Sequence, residues 1–149
     1  MIDLAEFIQK GRYEGLKPGD GFAIVEEQLG EITNEERWYF EANYPTAGFS
    51  VLRSGIEWQF MDGELYGIQI DVVDGAFCLD NGYQLGTHTP ITVLLAYLDW
   101  TGIDWSFYSK DTFGKQLAIQ MASGVKCTYE YNEENELVLT SFYLFKRLK

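Results

Sequence analysis

The sequence predicts an α+β fold, a tandem repeat of a helix followed by a four-stranded antiparallel meander, with the helices on one face of a curved sheet. Two observations support this prediction. The segments "SGIEWQFMDGEL" and "SGVKCTYEYNEENEL" share a Ser-Gly opening, an alternating apolar strand and an acidic turn that leads to Glu-Leu. Matching landmarks also recur at similar offsets: Gly30 and Gly102 are 72 residues apart, and Gly55 and Gly124 are 69 residues apart. The repeated hairpin therefore indicates that a larger unit is repeated.

The two repeats are predicted to form a single compact domain over 1–149, divided at about 1–75 and 76–149. In the first repeat, apolar residues at helical spacing predict one helix over 2–10 and a second between Asp20 and Gly30. Strands are expected from the alternation of apolar and polar residues and from the Asp-Gly turn signal. These strands cover 37–41, 49–53, 56–61 and 66–72.

The second repeat opens with a helix for which Thr89 is the expected N-cap and Pro90 the first helical residue. This helix ends at Gly102. The strands that follow are predicted at 103–108, 115–122, 125–131 and 136–145. All four tryptophans are predicted to lie in the core, namely Trp38, Trp58, Trp100 and Trp105.

The charge favours some partners over others. The net charge is −12, with 15 acidic and 5 basic side chains in residues 1–75, and 8 and 6 in residues 76–149. Nucleic acid is not an expected partner, because phosphate binding requires a basic surface. A basic protein, in contrast, would be attracted by such a field. No apolar run approaches the roughly 20 residues that span a membrane. The alternative explanation of the charge is ordinary solubility.

No catalytic residue and no cofactor are predicted. His88 is the only histidine, and no carboxylate or nucleophile lies at a spacing that would make it a general base. A loop or capping role is the expected one. The chain also lacks the glycine-rich phosphate loops and the G-x-S-x-G motif.

No metal site is predicted either. Cys78 and Cys127 are 49 residues apart without a C-x-x-C motif, so buried free thiols are expected, with a disulfide as the alternative. The acidic residues Asp71, Asp74 and Asp80 suggest a calcium loop, but their spacing departs from the known loop pattern.

The proposed repeat resembles the architecture of the β-lactamase inhibitory protein. The phrase "GLKPGDGFAIVEEQLGE" is similar to the glycine-weighted opening of that superfamily, which includes small outer-membrane assembly lipoproteins. The matching positions are Gly15, Leu16, Gly19, Val25, Leu29 and Gly30. The chain departs from the pattern because it shows neither a signal peptide nor a lipidation cysteine near its start. The resemblance therefore implies a cytoplasmic inhibitor, similar to the acidic immunity proteins of bacterial toxin–immunity pairs.

A protein-binding surface is expected on the sheet face away from the helices. Strand alternation places tyrosine, carboxylate and amide side chains there, and tyrosine is favoured in protein interfaces. An ordinary solvated face is the alternative. The predicted partner-binding residues are Tyr39, Glu41, Glu57, Gln59, Gln69, Asp71, Asp104, Tyr108 and Glu130.

The sequence thus favours a protein that is not an enzyme, an acidic immunity protein of the cytoplasm. It would neutralise a basic, nuclease-like toxin by occluding the active cleft. Neither a nucleic acid nor a membrane is expected as a partner. Two alternatives remain open: a cytoplasmic ligand- or scaffold-binding module that uses the cavity between helix and sheet, and a small hydrolytic enzyme.

Overall fold

A computed structural model describes residues 1–41, 47–80 and 82–147. Within these residues the chain is mostly β. The strands are β1 (Ile2–Asp3), β2 (Trp38–Tyr39), β3 (Phe49–Arg53), β4 (Ile56–Met61), β5 (Glu64–Asp71), β6 (Phe77–Leu79), β7 (Tyr83–Leu85), β8 (Trp105–Phe107), β9 (Gln116–Met121), β10 (Lys126–Tyr131) and β11 (Leu137–Phe145).

Three short α-helices accompany the strands: α1 (Ala5–Lys10), α2 (Phe22–Leu29) and α3 (Ile91–Trp100). Helix α1 ends at Gly11, whose φ of 69° is the left-handed conformation that glycine adopts without strain. Helix α3 follows Pro90, and the hydroxyl of Thr89 accepts a hydrogen bond from the Gly86 amide instead of capping the helix. None of the described helices is long and apolar enough to cross a bilayer.

The described strands form two sheets. Eight strands form an antiparallel sheet in the order β2-β3-β4-β5-β11-β10-β9-β8. The other sheet has the order β1-β6-β7, in which β1 runs parallel to β6 and β7 antiparallel to it.

The prediction of an α+β tandem repeat of helix and four-stranded meander is wrong. The structure is a mostly β fold with an eight-stranded antiparallel sheet, and its helices have only 6, 8 and 10 residues. Strands β1, β6 and β7 belong to neither predicted meander, and they hydrogen-bond over a long sequence separation. Similar hairpins in the sequence reported local strand pairing, and local pairing did not determine the architecture of the whole chain.

The chain divides into two compact units whose limits differ from the predicted repeats. The first unit comprises residues 1–13 and 71–142, and the second comprises residues 14–70 and 143–149. In the first unit, the side chains of Phe7, Ile8, Leu94, Leu98, Ile119, Tyr129 and Phe142 are buried. In the second unit, those of Val25, Val51, Ile56, Trp58, Phe60, Leu65 and Ile68 are buried. The predicted domain boundary near residue 75 stays a prediction.

A β-bulge interrupts the pairing of β4 with β5. Trp58 lies opposite Ile68, whereas Phe60 lies opposite Leu65, so that β5 has one extra residue at Tyr66. Because the extra residue reverses the alternation, Leu65 is buried and Tyr66 is half-buried. The sequence pattern had instead placed Tyr66 on the inner face.

Candidate protein-binding surface

Strands β2 to β5 present two different faces in the second unit. On one face, Phe49 and Phe60 contact the ring of Phe22, the first residue of α2, at centroid distances of 5.9 and 5.2 Å. We call this the helix face. The opposite face, called the outer face, carries the alternate side chains of the same strands. Its described residues are Trp38, Phe40, Ser50, Leu52, Glu57, Gln59, Met61, Gly67 and Gln69.

The outer face exposes large apolar side chains. Trp38 is 76% exposed, Leu52 67%, Phe40 45% and Met61 37%. Trp38 lies directly opposite Ser50, and Leu52 is two residues further along the same strand. Diagonal neighbours of this kind are close enough for large side chains to share one surface. Contiguous exposed apolar residues of this kind are typical of interaction surfaces.

Gly48 allows the strands at one end of the outer face to approach closely. Its amide-side neighbour strand is joined by a hydrogen bond from the Phe40 amide to its carbonyl oxygen at 3.0 Å. A Cβ atom at this position would lie 2.9 Å from Cγ of Met61 and 3.0 Å from Cδ2 of Phe40. The absence of a side chain therefore lets Phe40 and Met61 close over the backbone as one apolar surface.

Carboxylates surround these apolar side chains. Glu57 is half-buried and lies opposite both Leu52 and Gln69, and Glu41 and Asp62 are exposed. Within residues 1–41, 47–80 and 82–147, only two ion pairs are present, and neither includes these three carboxylates. Their negative charge is therefore not neutralised by a neighbouring cation within the described chain.

Three of the predicted partner-binding residues lie together on the outer face. Glu57 is opposite Gln69, and Gln59 is opposite Gly67, where strand alternation had placed them. The fourth, Tyr39, lies on the helix face. Its ring contacts Phe49 at 5.7 Å, and its hydroxyl donates a hydrogen bond to Oδ1 of Asn34 at 2.6 Å. The alternation in β2 was thus predicted one residue out of phase, and Trp38 takes the outward position.

Two tryptophans were wrongly predicted to be in the core. Trp38 is 76% exposed and Trp100 is 82% exposed, whereas Trp58 is only 1% exposed, as predicted. Trp105 is half-buried. The exposed Trp38 is the residue of the outer face that sequence reasoning missed, since in "RWYF" either phase of the alternation directs an aromatic outward.

The remaining predicted residues belong to the first unit. Asp71, Asp104 and Glu130 are exposed. Tyr108 is half-buried, with the ammonium group of Lys126 over its ring at 4.7 Å from the centroid. Because these four residues lie outside the second unit, the outer face is described without them.

An ion pair holds the start of β2 in place. The guanidinium of Arg53 donates to both carboxylate oxygens of Glu36, at 2.8 and 3.0 Å, and to the carbonyl oxygens of Leu29 and Glu31. These hydrogen bonds from Arg53, together with one from the Thr33 amide, lower the pKa of Glu36 to about 2. The segment between α2 and β2 is therefore fastened to β3.

A small cleft lies beside the outer face. It has a volume of about 250 Å³ and is lined by Phe22, Arg37, Gly48, Phe49, Phe60, Met61, Asp62 and Gly63. The guanidinium of Arg37 lies over the rings of Phe22 and Phe49, at 5.1 and 4.7 Å from their centroids. Its Nε is buried without a hydrogen-bond partner among the described residues. Cation–π contact therefore holds Arg37 in the wall of the cleft.

The acidic loop that resembled a calcium site has other hydrogen-bond partners. Asp74 accepts hydrogen bonds from the backbone amide and the hydroxyl of Thr87, and these bonds lower its pKa. Asp80 accepts a hydrogen bond from the Tyr97 hydroxyl at 2.7 Å. No group of three potential metal ligands occurs in the part of the chain that the structure describes. His88 is exposed in the adjoining turn.

No family model, no curated protein and no solved structure matches this chain. The resemblance to the β-lactamase inhibitory protein and to immunity proteins consequently remains an expectation from the sequence.

Proposed function

We propose that the protein is a cytoplasmic protein-binding inhibitor that uses the outer face to bind and occlude a basic protein, with a nuclease-like toxin as the expected partner. The observation that supports this proposal most strongly is the pair of exposed side chains Trp38 and Leu52, 76% and 67% exposed, beside the carboxylate of Glu57. The two cysteines are free thiols, which accords with the cytoplasm as compartment.

The apolar centre and the acidic surroundings would contribute differently to binding. A few large side chains near the centre of an interface supply most of its affinity, and tryptophan is among the most frequent of them. Carboxylates at the edge attract a cationic partner over distance and accelerate association. An inhibitor with this surface would combine fast capture with slow release.

The cleft beside the outer face favours the ligand-binding alternative to a lesser degree. Its volume of about 250 Å³ lies just below the range of roughly 300–1,000 Å³ that is usual for small-molecule sites. It is lined by aromatic rings and by one cation, Arg37. We therefore place a ligand-binding module second, and the enzyme alternative remains without a supporting constellation among the described residues.

The proposal is tested with the basic domain, if any, encoded immediately upstream of this chain's gene. The purified domain should bind the protein in a one-to-one complex and lose its activity. Leu52→Lys should weaken this complex by about 2 kcal/mol, close to thirtyfold in Kd, because it places a cation in the apolar centre. Val73→Lys is the matched control, since Val73 is 58% exposed and lies outside the outer face.

The electrostatic part is tested by charge reversal. Glu57→Lys should slow association with the same basic domain, and the difference from the unsubstituted protein should shrink as salt is added. Glu133→Lys changes the net charge equally but lies in the exposed turn before β11. Equal effects of the two substitutions, or binding that does not respond to Leu52→Lys, would show that the outer face is not the binding surface.

A further inference from the structure

Strand β8 lies at one end of the order of the eight-stranded sheet, so only one of its edges pairs with a described strand. The Tyr108 amide, directly after β8, donates to the carbonyl oxygen of Ala118 at 2.9 Å. Hydrogen-bonded and non-bonded residues alternate along an antiparallel pair. Ser106 therefore bonds to β9, whereas the backbone amide and carbonyl groups of Trp105 and Phe107 point away from it.

The side chains beside this edge are aromatic and held in place. The rings of Trp105 and Phe107 meet edge to face at 5.5 Å, and Nε1 of Trp105 donates to the carboxylate of Asp99 at 2.9 Å. Phe107 is 56% exposed, and Trp100, the last residue of α3, is 82% exposed. Sheet edges that must avoid pairing usually carry lysine, proline or inward-pointing charges. Strand β8 carries none of these in Trp105–Phe107.

The charge around the edge indicates which kind of chain it would accept. Asp99 and Asp104 are exposed, and neither takes part in an ion pair within 4.0 Å among the described residues. Residues 1–13 and 71–142 contain 12 acidic and 5 basic side chains. A second copy of the protein would bring a further net charge of −12, which opposes association.

We propose that β8 binds an extended, cationic segment of a partner protein as an additional strand. Backbone hydrogen bonds to Trp105 and Phe107 would hold the segment, and the exposed aromatic rings would contact its alternate side chains. Lysine or arginine side chains of the segment would lie near Asp99 and Asp104. This site lies in the first unit and does not depend on the outer face.

The test uses the full chain and a capped peptide of alternating lysine and valine. In amide-resolved NMR, the peptide should shift the Trp105 and Phe107 signals and slow their hydrogen exchange by about tenfold or more, because these amides gain a hydrogen-bond acceptor. The same peptide with N-methylated valines cannot donate to a neighbouring strand, so it should not bind. A peptide of alternating glutamate and valine should bind more than tenfold more weakly, since its charge is reversed.

Two variants separate the backbone from the aromatic side chain. Phe107→Pro removes the outward amide while leaving the bonds to β9, because proline is tolerated where its nitrogen faces solvent. It should lose about tenfold more peptide affinity than Phe107→Ala, which keeps the amide. Leu52→Lys should leave peptide affinity unchanged.

Four results would overturn the proposal: equal binding of the N-methylated peptide, equal binding of the acidic peptide, equal affinities of the two Phe107 variants, or sedimentation showing that Phe107→Pro disrupts a dimer of this chain. If Phe107→Pro does not fold, the N-methylated peptide still decides.

Discussion

Replacing Gly48 by alanine should destabilise the protein much more than the same replacement of Gly55. Both residues have positive φ, 126° for Gly48 and 77° for Gly55. A Cβ atom at Gly48 would lie 2.5 Å from the backbone oxygen of Phe60, whereas at Gly55 it would meet no atom within 4 Å. A positive φ costs alanine about 1 kcal/mol at either site, and the clash with a backbone atom adds about 1–3 kcal/mol at Gly48.

The expected losses in the free energy of unfolding are therefore about 1 kcal/mol for Gly55→Ala and about 2–4 kcal/mol for Gly48→Ala. Urea unfolding followed by tryptophan fluorescence measures both, and an unchanged m-value would show that the same surface unfolds in each variant. Equal losses would refute the reasoning, because they would mean that β3 and β4 separate readily at this point. Gly48→Ala should also disturb the contact of Phe40 with Met61 on the outer face.

Three further predictions concern acid, aromatic burial and thiol chemistry. The folded-state pKa of Glu36, lowered to about 2, contributes stability that is present above the unfolded pKa of about 4.5 and is lost as the pH falls towards 2; Glu36→Gln should flatten this loss in urea midpoints, and Glu35→Gln should not. Trp58→Ala should cost about 3–5 kcal/mol in urea unfolding because its side chain is fully buried, whereas Trp100→Ala should change stability by less than about 0.5 kcal/mol. Burial raises the pKa of the Cys127 thiol, so a chromogenic disulfide reagent should label this residue only after denaturant is added; labelling of the native protein would contradict the packing around it.

Local turn chemistry was the part of the fold that the sequence predicted well. The Asp62-Gly63 pair forms the predicted hairpin turn, with φ values of 53° and 75°. The predicted strand at 56–61 coincides with β4. Two adjacent residues with positive φ are favoured by glycine and aspartate for steric reasons that act within a few residues. Features of this range can be identified without knowledge of the remaining chain.

Pairing between distant segments could not be predicted in this way. Strand β6 has only three residues, and its parallel partner β1 lies 75 residues earlier at Ile2 and Phe77. Neither segment shows an alternating pattern long enough to identify a strand. Three-residue strands are fixed by their neighbours in space, and these neighbours are not visible in a local window.

The candidate site was predicted in part for a related reason. Glu57, Gln59 and Gln69 lie on strands with clear alternation, and their shared face was predicted from it. Strand β2 is short and consists of aromatic residues, so that its alternation gave no phase. Trp38 therefore was placed in the core, although it lies on the surface that we propose as the binding site.

The C-terminal part of β11 links two positions of the sequence that lie far apart. A Cβ atom on Gly67 would lie 2.2 Å from Cδ1 of Phe145, because that ring occupies the space above the glycine. The ring also contacts Tyr66 and Tyr143, each at 5.7 Å. A side chain at position 67 and a large ring at position 145 cannot occupy this space together. During evolution the two positions should thus change as a pair, with alanine or serine at 67 accompanied by a smaller residue at 145.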